Sequence, residues 1–125
     1  MEEYNPLVEH DKEQWLALDD YERLDLVASY VENHEVDLEE QARQGHTTIH
    51  VIVENQIAEN IEPTCETYSR LMRQGLDRHE TLHAIGAVII EDVADMLNDK
   101  TDKPFVRYKH RLRKLTAKRW RKGKW

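Results

Sequence analysis

Two histidine pairs share one spacing in this chain: His46 and His50 in "HTTIHVIVENQ", and His79 and His83 in "DRHETLHAIG". Four residues along an α-helix advance about 6 Å and turn about 40° past a full circle, so each pair projects from one helix face. Two imidazoles placed this way can reach one metal ion. A second helix carrying the same pair raises the set to four nitrogens, and neutral imidazole suits zinc, iron, copper or nickel better than magnesium or calcium. Helix bundles build metal sites from side chains on facing helices. The sequence therefore offers His46, His50, His79 and His83 as ligands for zinc or iron. Glu54, one helical step beyond His50, is the accessory ligand or the carboxylate that takes a ligating ring's other N–H. Gln56 is a weaker polar neighbour.

The same spacing also suits a histidine-rich core in which carboxylates, hydroxyls or water satisfy the rings. On that reading the pairs are purely structural. His10, His34 and His110 fall outside the pattern and read as surface or tail residues. Residues 79–83, "HETLH", match the H-E-x-x-H string in which two histidines bind zinc and the glutamate acts as general base. Here His79 falls in a first helical turn where Glu80 is expected to cap. Glu80 as the base of a protease-like site is thus a secondary reading, and whether the protein is an enzyme stays open. There is no glycine-rich phosphate loop and no nucleophile elbow.

The elements that must position these residues read as helices. A chain of 125 residues is one domain's worth, and four glycines and three prolines punctuate too rarely for many short strands. Asp11 can cap a short helix carrying Trp15 and Leu18. Asp19 or Asp20 can cap a second, with Leu24, Val27, Tyr30 and Val31 on one face. "EVDLEEQARQG" lacks a clear period until Gly45 and reads as a connector with room for one helical turn. Residues 46–60 are rich in β-branched side chains, but no second run of that kind exists to pair with them, and Ile57 four after Val53 favours a helix. Pro63 suits the first turn of the next helix, which Gly75 ends. Asp77 caps the longest apolar helix, with Glu80 completing an acidic capping box, and its middle is apolar on all sides as in a central bundle helix. Gly86 lets another helix approach. The expected fold is an all-α compact bundle of about five helices with a basic C-terminal helix.

The stretches "WLALDDYERLDLVASY", "HTTIHVIVENQIAEN" and "TYSRLMRQGLDRHETLHAIGAVI" resemble an uncharacterised group of small bacterial proteins catalogued as a domain of unknown function. The similarity covers roughly residues 15–97, with "LTAKRW" in the tail. It implies a compact helical domain and maps the group's histidine motifs onto His46, His50, His79 and His83; it supplies no activity. The acidic segment around "NHEVDLEEQARQG" and the strongly basic tail depart from the group's pattern.

Charge divides the chain. Residues 1–99 hold 6 Lys and Arg against 24 Asp and Glu, a charge of −18, whereas residues 100–125 hold 12 against 1, or +11, which together give −7. An acidic helical domain thus carries a basic amphipathic tail, with Phe105, Tyr108, Leu112 and Leu115 on one face. Cations interleaved with Phe105, Tyr108, Trp120 and Trp125 can meet phosphates by charge and bases by stacking, so RNA or the ribosome is one candidate partner and an anionic membrane surface another. Docking of the apolar face on the chain's own body or on a second copy is the preferred reading, and a homo-oligomer is compatible with it. Cys65 is the single cysteine, "MEEYNP" lacks the basic start of a signal peptide, and "AIGAVII" is too short for a membrane span. A cytoplasmic protein is expected.

Overall fold

Asp11 and Asp19 each have extended backbone and accept a hydrogen bond from the amide three residues on, at Gln14 and Glu22, so each opens a helix. In the computed structural model, which describes residues 1–98 and 106–125, these are α1 (Lys12–Ala17) and α2 (Asp20–His34). They are followed by α3 (Glu40–Ala58), α4 (Thr64–Arg73), α5 (Arg78–Leu97), α6 (Val106–Lys114) and α7 (Ala117–Arg121). The described residues contain no strand, so the all-α class holds, and no helix among them is long and apolar enough to cross a membrane. The described residues form seven helices rather than about five, and the tail contributes two of them. Leu115 ends α6, and Thr116 caps α7 by accepting from the Arg119 amide. Phe105 lies outside the described residues.

The segment read as a connector is partly helical. Helix α3 begins at Glu40 and passes through Gly45, whose backbone is ordinary helix, so the acidic run adds more than a turn ahead of His46. The β-branched stretch that follows is helical, as its Val53–Ile57 step requires. Val27 and Val31 of α2 are fully buried, but Leu24 is 37% exposed and Arg23 is buried in its stead. The Arg23 guanidinium donates to the carbonyls of Trp15 and Leu16 and to Asn55, tying the end of α1 to α2 and α3.

The core has two parts. One gathers Tyr4, Trp15, Val27, Val31, Val51 and Ala58, from the N-terminal segment, α1, α2 and α3. The other runs along α5, through Leu82, Ile85 and Val88, and takes in Val53 of α3, Leu71 of α4, and Leu112, Leu115 and Ala117 of the tail. The tail is thus part of the core. Where α3 crosses α5, a Cβ on Gly86 would lie 2.5 Å from Ile49 Cγ2. That contact is with a β-branched methyl, which has little rotamer freedom in a helix. The glycine therefore sets how closely the two histidine-bearing helices approach.

Candidate metal centre

Helix α3 supplies His46 and His50, α5 supplies His79 and His83, and the C-terminal end of α2 supplies Glu35, where the backbone leaves helical geometry and turns the carboxylate back toward α3. One ligand atom from each of Glu35, His46, His50 and His83 lies within 4.8 Å of every other. This cluster could hold a metal ion. His50 Nε2 faces His83 Nε2 at 3.2 Å. In a tetrahedral zinc site with Zn–N bonds of 2.0–2.1 Å, two nitrogens stand about 3.3–3.4 Å apart, so this pair already has nearly the spacing an ion would impose. His46 Nδ1 is in short contact with a Glu35 carboxylate oxygen.

His79 stands against the same group, with its ring centroid 4.3 Å from that of His83 and 5.2 Å from that of His50, but it is outside the convergent four. Its Nε2 is buried with no hydrogen-bond partner among the described residues. An unpartnered buried nitrogen is costly, and a bound ion or water in the cluster would relieve it. Tyr30 packs edge-on against the His79 ring. An open groove of about 530 Å³, lined by Ala42, Gly45, His46, Thr48, Ile49 and Ile90, reaches the cluster at His46.

Three of the rings are shifted toward the neutral form. Burial, reinforced by the neighbouring imidazoles, pushes His50 down to about 3; burial and the charges of His79 and His46 push His83 down to about 4. Burial also lowers His79. Neutral imidazole is the ligating form, and His50 and His83 are in that form at neutral pH.

Two residues named from the sequence sit elsewhere. Glu54 is not among the convergent atoms: its two oxygens are clamped by Arg78 at 2.7 and 2.9 Å, and Oε2 also accepts from Tyr4 at 2.7 Å and His10 at 3.2 Å. Burial alone would raise its pKa, but the hydrogen bonds from His10 and Arg78 and the Arg78 charge hold it at about 2. One residue, Tyr4, separates it from the cluster, since Tyr4 Oη also lies 3.0 Å from His50 Nδ1. Gln56 belongs to the tail, its Oε1 accepting from Thr64 at 2.6 Å and Tyr108 at 2.7 Å.

Glu80 is exposed, and its carboxylate accepts from Trp120 Nε1 at 3.1 Å, so the capping box of α5 is only half formed and the string "HETLH" does not turn its glutamate to the cluster. His10, read as a surface residue, is stacked on Trp15 with its side chain 8% exposed. Sequence reasoning missed Glu35, Tyr4 and Arg78. Glu35 sits in an acidic run with nothing to single it out, whereas Arg78, beside a ligand candidate and the one Lys or Arg of α5, is a charge that needed a partner. No family model, curated protein or solved structure matches this chain.

Proposed function

We propose that this is a metal-binding protein that holds one zinc or ferrous ion through His46, His50, His83 and Glu35, with His79 as a further nitrogen ligand. The observation that carries this reading is the convergence of four donor atoms from three helices within 4.8 Å. Three imidazoles and a carboxylate make a donor set that zinc and ferrous iron both accept, and entry of His79 to give five donors favours iron, since structural zinc sites are four-coordinate. Membership of the bacterial domain of unknown function, a cytoplasmic location and a homo-oligomeric state belong to the same proposal.

Metal analysis of untagged protein by inductively coupled plasma mass spectrometry tests it. The expected result is close to one ion per chain, absent from a folded His50→Ala, His83→Ala double variant. At a free metal concentration of about 100 times Kd, the wild type gains about 2.7 kcal/mol of stability. A wild type that takes up neither zinc nor ferrous iron on reconstitution overturns the proposal.

A second reading, an RNA-contacting module, draws support from the outer side of the tail. Lys109, Arg113, Lys114, Lys118, Arg119 and Lys122 are exposed, and none has an ion-pair partner among the described residues, whereas Arg107 and Arg111 pair with Asp95 and Glu91. The tail docks by its apolar face and leaves most of its charge outward. Replacing Arg113, Lys118 and Arg119 with Glu is expected to abolish salt-dependent RNA binding while leaving the metal content unchanged. RNA binding unaffected by these changes removes the reading.

A further inference from the structure

Tyr4 is 4% exposed although it is the fourth residue of the chain and belongs to no helix. Its ring meets those of Tyr30 and His50 edge-on at 5.9 and 5.8 Å and leans on Trp15. Two further points fasten the same segment: Pro6 O accepts from Arg78 Nη1 at 3.0 Å, and His10 donates to Glu54. Arg78 also donates to Tyr68 Oη at 2.9 Å, which fixes the guanidinium against α4. Residues 4–10 therefore form a strap held on the buried Glu54–Arg78 pair, on the side of His50 away from the other histidines.

The protons in this network can be counted. Glu54 receives two hydrogen bonds from a buried guanidinium, so it is an ionised carboxylate and can only accept. The contact at 2.7 Å between Tyr4 Oη and Glu54 Oε2 thus uses the phenol's one proton. The phenol oxygen, 3.0 Å from His50 Nδ1, can then only accept, and His50 Nδ1 must carry the hydrogen. A neutral imidazole protonated at Nδ1 has its lone pair on Nε2, the atom that faces His83. The reverse assignment, with Tyr4 donating to His50, would leave Glu54 Oε2 without its phenol proton and set two lone pairs against each other.

We propose that the N-terminal strap, acting through Tyr4, fixes His50 in the tautomer that presents Nε2 to the metal, and that strap docking and metal binding are therefore coupled. This rests on the metal-binding reading above. Tyr4 is a positioning residue: it touches no ligand atom and acts through the far side of the His50 ring. Coupling is reciprocal, so an undocked strap weakens metal binding by the same factor by which metal tightens the strap.

The test is Tyr4→Phe, which keeps the ring and removes the hydroxyl. Nitrogen–proton correlation spectra of the metal-free wild type are expected to show His50 protonated at Nδ1; in the variant the other tautomer becomes populated. Zinc affinity, measured by chelator competition, is expected to fall 10–100-fold with stoichiometry unchanged at saturation, the usual effect of losing a ligand's outer partner. Zinc is expected to slow amide exchange across residues 4–10 in the wild type and not in the variant. His50 protonated at Nε2 in the metal-free wild type, or a folded variant with zinc affinity within twofold of wild type, overturns the inference. The tautomer is read without metal on the native chain, so that result is separate from any failure of metal binding itself and does not depend on the variant folding.

Discussion

The joint between α4 and the tail and the cluster among α2, α3 and α5 both bring polar groups into the protein's interior, and they treat them in opposite ways. At the joint, Thr67, Arg70 and Gln74 on the α4 side meet protein partners. Thr67 donates to Leu112 O at 2.9 Å, Arg70 donates to Leu112 O and Leu115 O at 2.7 and 3.0 Å, and Gln74 Oε1 accepts from the Ala117 amide. These bonds satisfy carbonyls that a helix end leaves over, and so hold α6 in place. In the cluster, four possible ligand atoms lie within 4.8 Å of one another, two ring nitrogens stand face to face, and His79 Nε2 has no hydrogen-bond partner among the described residues. An arrangement that completes its own hydrogen bonds is a fastening. One that gathers possible ligand atoms about a common point and leaves a buried nitrogen unpaired could hold an ion.

Substitutions can break this contrast or sharpen it. The largest effect is expected from Arg78→Met, which strands the buried Glu54 carboxylate: a loss of about 3–5 kcal/mol in urea unfolding. A loss under 1 kcal/mol would show that the pair is not what holds the strap side of the site. Leu112→Ala, at a fully buried position of the joint, is expected to cost about 2–5 kcal/mol while the folded fraction keeps its full metal content. A joint substitution that removed metal without unfolding would erase the distinction between the two regions. For the same reason, removing the tail altogether is a poor test of its function, since Leu112, Leu115 and Ala117 belong to the main core.

Gly86→Ala places a methyl against Ile49 and is expected to cost about 1–3 kcal/mol by pushing α3 and α5 apart. Because those helices carry the histidines, metal affinity should fall with it; stability lost with affinity unchanged would mean that the helix spacing does not set the site.

The most graded effect is expected from acid. The folded metal-free protein keeps His50 and His83 unprotonated down to about 3 and 4, whereas the unfolded chain takes up those protons near the ordinary value of 6.5. The stability this contributes is complete above pH 6.5 and drains away as the pH falls toward 4. Glu54, held at about 2 against an ordinary 4.5, adds a separate loss between those values. Urea midpoints measured between pH 7.5 and 4 should fall, and the decline in the upper window should be shallower in the His50→Ala, His83→Ala variant, where only His79 of the three lowered rings remains.

Much of the fold was legible because its cues are local. Asp11, Asp19 and Asp77 cap the helices they announce, and Gly75, at φ +99°, ends α4 where only a residue without a Cβ sits easily. The apolar face of Tyr108, Leu112 and Leu115 is buried as its spacing requires. The start of α3 was not legible, because an acidic run without apolar period has no face to read. Glu80 and Trp120 pair across 40 residues, so no spacing in "HETLH" could show that its glutamate serves the tail.

The sequence by itself determined the helices and the two histidine faces, since capping, periodicity and the four-residue step depend on near neighbours along the chain. Only the tertiary structure decided which carboxylate joins the histidines. Glu54 stands four residues from His50 yet is drawn off by Arg78, a buried cation that would otherwise be unpaired, while Glu35 arrives from the end of another helix. Charges in a protein interior pair with whatever the packing brings within reach, and that partner is fixed by how helices cross rather than by distance along the chain.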